Sequence, residues 1–329
     1  KGNTMDLQNP LSQLRALFTI YFGLLLFLFV LSSIWRRRRS HTGASRKTPP
    51  EASGAWPLIG HLHLLSGGSQ PPHLTLGNMA DKYGPIFTLR LGVHKTLIVS
   101  NWEMAKQCFT VNDKAFAGRP KGIAQEVLGY NFSMVGFSPY GSYWRQVRKI
   151  LTLDLLSNHR VDTFKHMMES EVRTTMKESY DIWLKKNESG SEKAVTEMKR
   201  WFGDITLNIM FRAMIGKRFV SGENEENERI RKTLRHFIDL AGSFAVSDAL
   251  PYLRWLDLDG KEKEMKKTMK ELDGFVQAWL EEHKRNRNDS GSGEEKGNQD
   301  FMDVLLRLVE EGEEFNGRDA DTTIKATCL

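Results

Sequence analysis

The strongest pattern in the chain is an uncharged stretch near its start. From Ala16 to Trp35 no residue carries a charge, and Ile20 to Leu31 is almost wholly apolar. Twenty helical residues cover about 30 Å, the thickness of a bilayer's hydrocarbon core, so the pattern predicts a transmembrane anchor helix over 16–35. A signal peptide has a shorter apolar core followed by small residues, whereas here Arg36-Arg37-Arg38-Arg39 follows directly. Residues 36–57 read as a basic, proline-containing linker in which Pro49-Pro50 resists helix.

Beyond Pro57 the pattern takes on the periods of a folded body. After Tyr83-Gly84-Pro85, the runs Ile86–Leu91 and Thr96–Val99 predict two short strands, joined as a hairpin through Gly92-Val93-His94. Ser100 with Glu103 forms a capping box that opens a helix through about Phe109, and Pro139 suits the first turn of a later one. Val161, Phe164, Met168, Val172, Met176 and Trp183 recur at helical spacing. Met265, Met269, Leu272, Val276, Trp279 and His283 do so again, and Phe301, Val304, Leu305 and Leu308 mark a third helix. All three stripes are read as core faces, and Cys108, in a helical pattern, as buried. The polar segments Gly222–Glu228 and Asn286–Gln299 read as loops. The fold class is mainly α with a small antiparallel β-sheet.

Charge refines this picture. With 27% charged residues the body is that of an ordinary globular fold. The net charge of +6 is modest and concentrated in Arg36–Arg39, Arg46 and Lys47, which argues against nucleic acid as a partner. The same cluster orients the anchor: residues 1–15 face the lumen and the body faces the cytosol. The acceptor patterns at Asn131, Asn187 and Asn288 are then expected to carry no sugar. Met5, just ahead of the anchor, is read as the start. Two cysteines, Cys108 and Cys328, form no disulfide framework or zinc set and suit a reducing compartment. His61 and His63 lie two apart without a third ligand nearby, so no metal site is expected; P-loop, His-Glu-x-x-His and Gly-x-Ser-x-Gly motifs are absent.

The most informative stretch is Phe137 to Ile150. Trp144 and Arg148 are four apart and share a helix face. An indole N–H and a guanidinium so placed can meet one carboxylate, and the same spacing also serves a packed cation–π pair. Trp144-x-x-x-Arg148 resembles the helix C motif of cytochromes P450, where both residues contact a haem propionate. Trp56-Pro57-Leu58-Ile59-Gly60-His61-Leu62, Lys82-Tyr83-Gly84-Pro85-Ile86-Phe87 and Phe116-Ala117-Gly118-Arg119-Pro120 resemble the family's segments in its order. Leu250 to Asp257, with Asp259-Gly260, is most similar to the plant family numbered 82.

The resemblance covers essentially the whole chain and carries implications. Residues 58–329 would form the N-terminal part of a cytochrome P450 fold. The parent would be a haem-thiolate monooxygenase of the endoplasmic reticulum membrane, acting on a small apolar plant metabolite. Its cofactor would be haem, held between the helix running on from Arg318 and a later Cys-bearing segment whose thiolate favours O–O cleavage. Electrons would come from NADPH through NADPH–cytochrome P450 reductase. Arg145 and Lys149 are candidates for meeting that reductase, with a solvated basic face as the alternative. Lys121–Val135 matches the loop that covers substrate and Phe237–Val246 the helix F portion. These offer Ile123, Val127, Leu128, Phe132, Phe237 and Phe244 as pocket candidates, although plain packing would use the same residues.

Three family elements are missing through Leu329: the oxygen-activating acid–Thr pair, the Glu-x-x-Arg pair and the iron-ligating Cys. Ala320-Asp321-Thr322-Thr323 sits at a helix start, where such residues serve as caps, and Cys328 lacks the Phe-x-x-Gly-x-Arg context. No catalytic residue is therefore expected within these 329 residues, which by themselves would be inactive. The alternative from another class is a non-enzymatic single-pass membrane protein with a helical lipid- or partner-binding body.

Overall fold

The computed structural model describes residues 10–39, 48–66, 70–188, 195–219, 225–290 and 299–329. The reading of Met5 as the start, the luminal 1–9, the linker residues 40–47 and the loop residues 222–224 and 291–298 lie outside these, whereas 225–228, also read as loop, are helical. Residues 1–50 and 51–329 are two units. In the first, α1 (Pro10–Arg39) is one continuous helix over the whole expected anchor, and its described side chains from Leu17 to Val30 are all exposed. Among the described residues no helix is long and apolar enough to cross a membrane.

The second unit opens with α2 (Leu62–Ser66), α3 (Pro72–Tyr83) and the strands β1 (Ile86–Leu91) and β2 (His94–Val99). Helices follow: α4 (Trp102–Phe109), α5 (Asp113–Phe116), α6 (Ile123–Val127) and α7 (Ser142–Ile150), which passes into a π-helical turn, Leu151–Leu155. Next come α8 (Asn158–Glu188), α9 (Met198–Ile215), α10 (Glu225–Ala241), α11 (Val246–Ala249) and a 3-10 turn, Pro251–Leu256. The chain ends with α12 (Lys261–Ser290), α13 (Phe301–Glu310) and α14 (Ala320–Cys328). The expected class, mainly α with one small antiparallel sheet, is what forms.

The hairpin pairs Ile86 with Val99 through Leu91 with His94, so β2 begins two residues earlier than the sequence suggested and the turn is Gly92-Val93 alone. Gly92 takes φ +58, and a Cβ there would overlap the Ala249 carbonyl, which accepts the Val93 N–H at 3.0 Å; only glycine permits that approach. Phe87 and Leu89 alternate onto one face and pack with Leu76, Met79, Ala80 and Tyr83 of α3. His61 is fully engaged beneath this layer. Its Nε2 donates to the Ala52 carbonyl at 3.0 Å and its Nδ1 accepts the Arg90 N–H at 3.0 Å. His63 instead stacks on Trp56.

The main core lies where α7 and its π-turn meet α9, α12, α13 and α14. Tyr143, Val147, Ile150 and Leu155 pack there with Phe211, Phe219, Trp279, Met302, Leu305 and Ile324. Phe211 contacts Phe219 at 4.3 Å and Trp279 edge-on at 5.6 Å between centroids. A second cluster joins Ile123, Ala124 and Leu128 to Phe237, Leu240, Met265, Met269 and Leu272. The α12 and α13 stripes are thus core faces, as read.

Local expectations fail elsewhere too. Asn101, not Ser100, caps α4, its Oδ1 accepting the Met104 N–H at 3.1 Å. Pro139 precedes α7, which starts at Ser142 behind an extended Gly141. α12 continues through Asn286 to Ser290, so the loop begins later. Cys108 is only half-buried. Most tellingly, Val161, Val172, Met176 and Trp183 on α8 are exposed, while Glu171 and Thr175 are buried. Charge explains that rotation. Glu171 is 0% exposed and receives Arg218 Nε at 2.7 Å and Arg212 Nη1 at 3.1 Å, so α8 turns its acid, not its stripe, toward α9.

Candidate functional site

α7 is amphipathic for a simple reason: Tyr143, Val147 and Ile150, at i, i+4 and i+7, are its buried residues. The helix is locked in azimuth from both sides. Tyr143 Oη donates to the Ser133 carbonyl at 2.7 Å. Gln146 Nε2 donates to Glu313 Oε1 at 2.8 Å, and Asn316 Nδ2 donates to Gln146 Oε1 at 2.8 Å. Arg318 lies over the Tyr143 ring at 4.3 Å and donates to the Asn131 carbonyl at 3.0 Å. Burial pushes the Tyr143 hydroxyl above its ordinary pKa despite these partners.

The remaining faces of α7 present the candidate residues. Arg148 sits over the Trp144 ring at 5.2 Å, Trp144 leans on Tyr140 at 5.4 Å, and Arg145 covers Tyr140 at 5.5 Å. Both readings of the Trp144–Arg148 spacing therefore meet in one arrangement: the two residues stack, and their donors remain available. Among the described residues neither Arg145, Arg148 nor Lys149 makes an ion pair, and all three are exposed. Arg148 and Lys149 lie in the last turn, where the helix dipole favours cations. A row of unpaired cations beside a half-buried indole is chemically a receptor for an acidic group.

The pocket candidates divide. Ile123, Leu128 and Phe237 are buried together in the second core cluster with Val127 partly buried against it. Phe132 is half-buried, and Phe244 is exposed beyond the end of α10. The segment they belong to is conformationally unusual. Tyr130, Asn131 and Phe132 hold φ of +49, +51 and +63 in succession, a left-handed run costing about 1–2 kcal/mol per residue. Surrounding bonds over-determine it: Asn131 N donates to Glu126 O at 2.9 Å and Ser133 N to Gly129 O at 2.7 Å.

Sequence reasoning missed the polar contacts that fix this segment, because they join residues far apart in the chain. Tyr130 Oη donates to Asp273 Oδ1 at 2.8 Å, where Lys325 Nζ also lies at 2.7 Å. Arg254 joins Glu126 and Glu262. The other missed group is His283, hydrogen-bonded to the Trp279 carbonyl at 2.7 Å and to Asp300 Oδ2 at 2.9 Å. With Asp303 nearby, these side chains approach metal-ligand spacing. Both imidazole nitrogens already face oxygen acceptors, however, which makes the ring a protonated ion-pair partner and not a ligand.

The lookalike motifs are structural. Asp319 caps α14, accepting the Thr322 N–H at 2.8 Å, and Asp321 pairs with Lys284 at 2.6 Å. Burial pushes the Cys328 thiol well above its ordinary pKa, so it stays protonated.

A cytochrome P450 family model matches residues 49–329. The chain belongs to the cytochrome P450 family. It is 46% identical over 317 residues to strychnine-10-hydroxylase of Strychnos nux-vomica, covering 94% of this chain and 59% of that protein. It is 48% identical to flavonoid-6-hydroxylase of Ocimum basilicum over 317 residues, 94% of this chain and 58% of that one. Cytochrome P450 82A1 of Pisum sativum is 43% identical over 343 residues, 98% of this chain and 61% of that protein. This P450 is accordingly a plant one of the family-82 type, and it spans about 59% of the length of the curated relatives it matches. A solved zebra fish cytochrome P450 with progesterone shares the fold at TM-score 0.57 and 19% identity, over 79% of this chain and 55% of that one. Membership implies haem iron as cofactor, and the unpaired Trp144 and Arg148 donors on the outer face of α7 fit one of its carboxylate arms.

Proposed function

We propose that this P450 is the N-terminal part of a membrane-bound monooxygenase that inserts one oxygen atom from O2 into an apolar plant secondary metabolite. The observation that carries the reading is the α7 face. Arg148 and Trp144 are positioned to hold a haem propionate, the guanidinium as a charge-assisted donor and the indole N–H as a neutral one. Bound haem supplies the oxygen-activating iron. The chain's own part is to grip and orient it, and to cover the substrate side with α6 and residues 128–134, whose apolar side chains exclude water. The relatives named as hydroxylases of strychnine, flavonoids and xanthotoxin support this substrate class and reaction.

Electrons reach the site from NADPH through its membrane-bound reductase. The unpaired Arg145 and Lys149 suit the acidic surface of such a partner. The uncharged 16–35 stretch followed by four arginines supports anchoring in the endoplasmic reticulum membrane with the body in the cytosol. Microsomes carrying the complete protein and reductase, supplied with NADPH and 18O2, test the reaction. The expected result is product carrying one 18O atom. Label arriving from water instead of O2 contradicts a monooxygenase.

A further inference from the structure

Two arginines away from the α7 face are buried in a way that their described neighbours do not satisfy. Arg160, in the first turn of α8, is half-buried. Its Nη2 donates to the Gln299 carbonyl at 3.1 Å, and its guanidinium lies over the Phe164 ring at 5.6 Å. Arg307, on α13, is also half-buried, and its Nη1 donates to the exposed Glu311 at 2.9 Å. In both side chains the Nε–H is shut off from solvent and has no acceptor among the described residues. A buried donor left unpaired costs about 1–3 kcal/mol, and more when it is charged. The two cations also lie close enough to repel. Burial first, and then the Arg307 charge, hold the Arg160 guanidinium below its ordinary pKa.

We propose that Arg160 and Arg307 form an oxyanion site that takes a phosphate group between α8 and α13. The carboxylates around the pair are committed elsewhere. Asp300 accepts from His283 and from the Asp303 N–H. Burial and the neighbouring Asp300 raise the Asp303 carboxyl toward its neutral form. Asp154, on the π-helical turn, attracts Arg160 from a distance, and among the described residues Arg160 makes no ion pair. The first turn of α8 holds no acidic residue of its own. The unused donors select the ligand class. A tetrahedral dianion can accept from two guanidiniums on separate helices at once, whereas a single carboxylate carries half that charge. Filled in this way, the pair fastens the start of α8 to α13, where Phe164 already meets Phe301 edge-on at 5.5 Å. The inference stands apart from the haem grip and the monooxygenase reading, neither of which uses these residues.

Calorimetric titration of the complete, haem-loaded protein tests the site, in buffer free of phosphate and sulfate with potassium chloride matching the ionic strength. Inorganic phosphate is the first probe and glucose 6-phosphate the second. One saturable phosphate site is expected. Arg160→Gln and Arg307→Gln should each weaken it at least about tenfold, with Arg160→Lys between. Binding of both probes assigns the site to phosphate esters, and exclusion of the sugar phosphate assigns it to the free ion. Thermal melting separates a ligand site from a structural pair. Arg307→Gln removes the repulsion between like charges, so without phosphate it should melt no lower than the parent. Added phosphate should raise the parent's melting temperature and leave the variant's unchanged. Absence of saturable binding in the parent, or binding that both Gln variants retain, overturns the site. So does a lower melting temperature of Arg307→Gln in phosphate-free buffer, which would show that the protein's own acids hold the pair.

Discussion

At the scale of single residues, the informative groups are those whose charge is fixed by neighbours and not by exposure. For His283, burial alone would lower the pKa. The Asp300 carboxylate and the Trp279 carbonyl outweigh it and raise the value to about 8. A group whose folded pKa exceeds its unfolded value of about 6.5 stabilises the native state when protonated. Its full contribution, about 2 kcal/mol, is present below about pH 6.5 and is lost as pH rises through about 8. Urea unfolding of the parent should therefore weaken between pH 6.5 and 8 relative to His283→Gln, which lacks this titration. Parallel pH profiles for the two proteins would contradict the pairing. None of this was legible beforehand: His283 continues an apolar stripe, and Asp300 becomes its partner only when α13 folds back on α12.

At the scale of elements, hydrophobic period located helices well and their faces unevenly. The α12 stripe from Met265 to His283 is buried because apolar neighbours cover it on α10, α13 and α14. The α8 stripe had the same spacing, yet apart from Phe164, which packs on Phe301, and the half-buried Met168 its members face outward, because the cross-element ion pairs of Glu171 with Arg212 and Arg218 outweigh it. Periodicity registers apolar area and is blind to a carboxylate whose partners lie about forty residues on. A buried pair broken on one side costs about 3–5 kcal/mol. Glu171→Ala should lower unfolding stability by that amount, whereas Val172→Ala, at an exposed position, should stay within about 0.5 kcal/mol. Equal effects in a urea titration would show that the stripe, not the acid, faces the protein. The α4 cap was missed for a smaller reason: Ser100 and Asn101 are both N-cap residue types, and the Ser100–Glu103 spacing favoured the wrong one.

At the scale of the whole molecule, the family and class were legible from motifs in order, since each marks a local turn or helix start that chemistry dictates. The tie between α6 and the 251–256 turn was not, because charge pairing across 128 positions leaves no trace in spacing. What unites these levels is the rotation of α7. Tyr143, Val147 and Ile150 turn inward, Gln146 and Arg318 lock the azimuth, and Trp144 and Arg148 are left stacked and unpaired on the outside. The central claim is that this pair holds an acidic arm of haem. It is tested most directly by the rate at which the complete protein surrenders haem to a scavenger globin. Losing a charge-assisted bond of about 1.5–3 kcal/mol, Arg148→Ala should release haem at least about tenfold faster than the parent, with Arg148→Lys between them. Release from Arg148→Ala at the parent's rate would contradict the account.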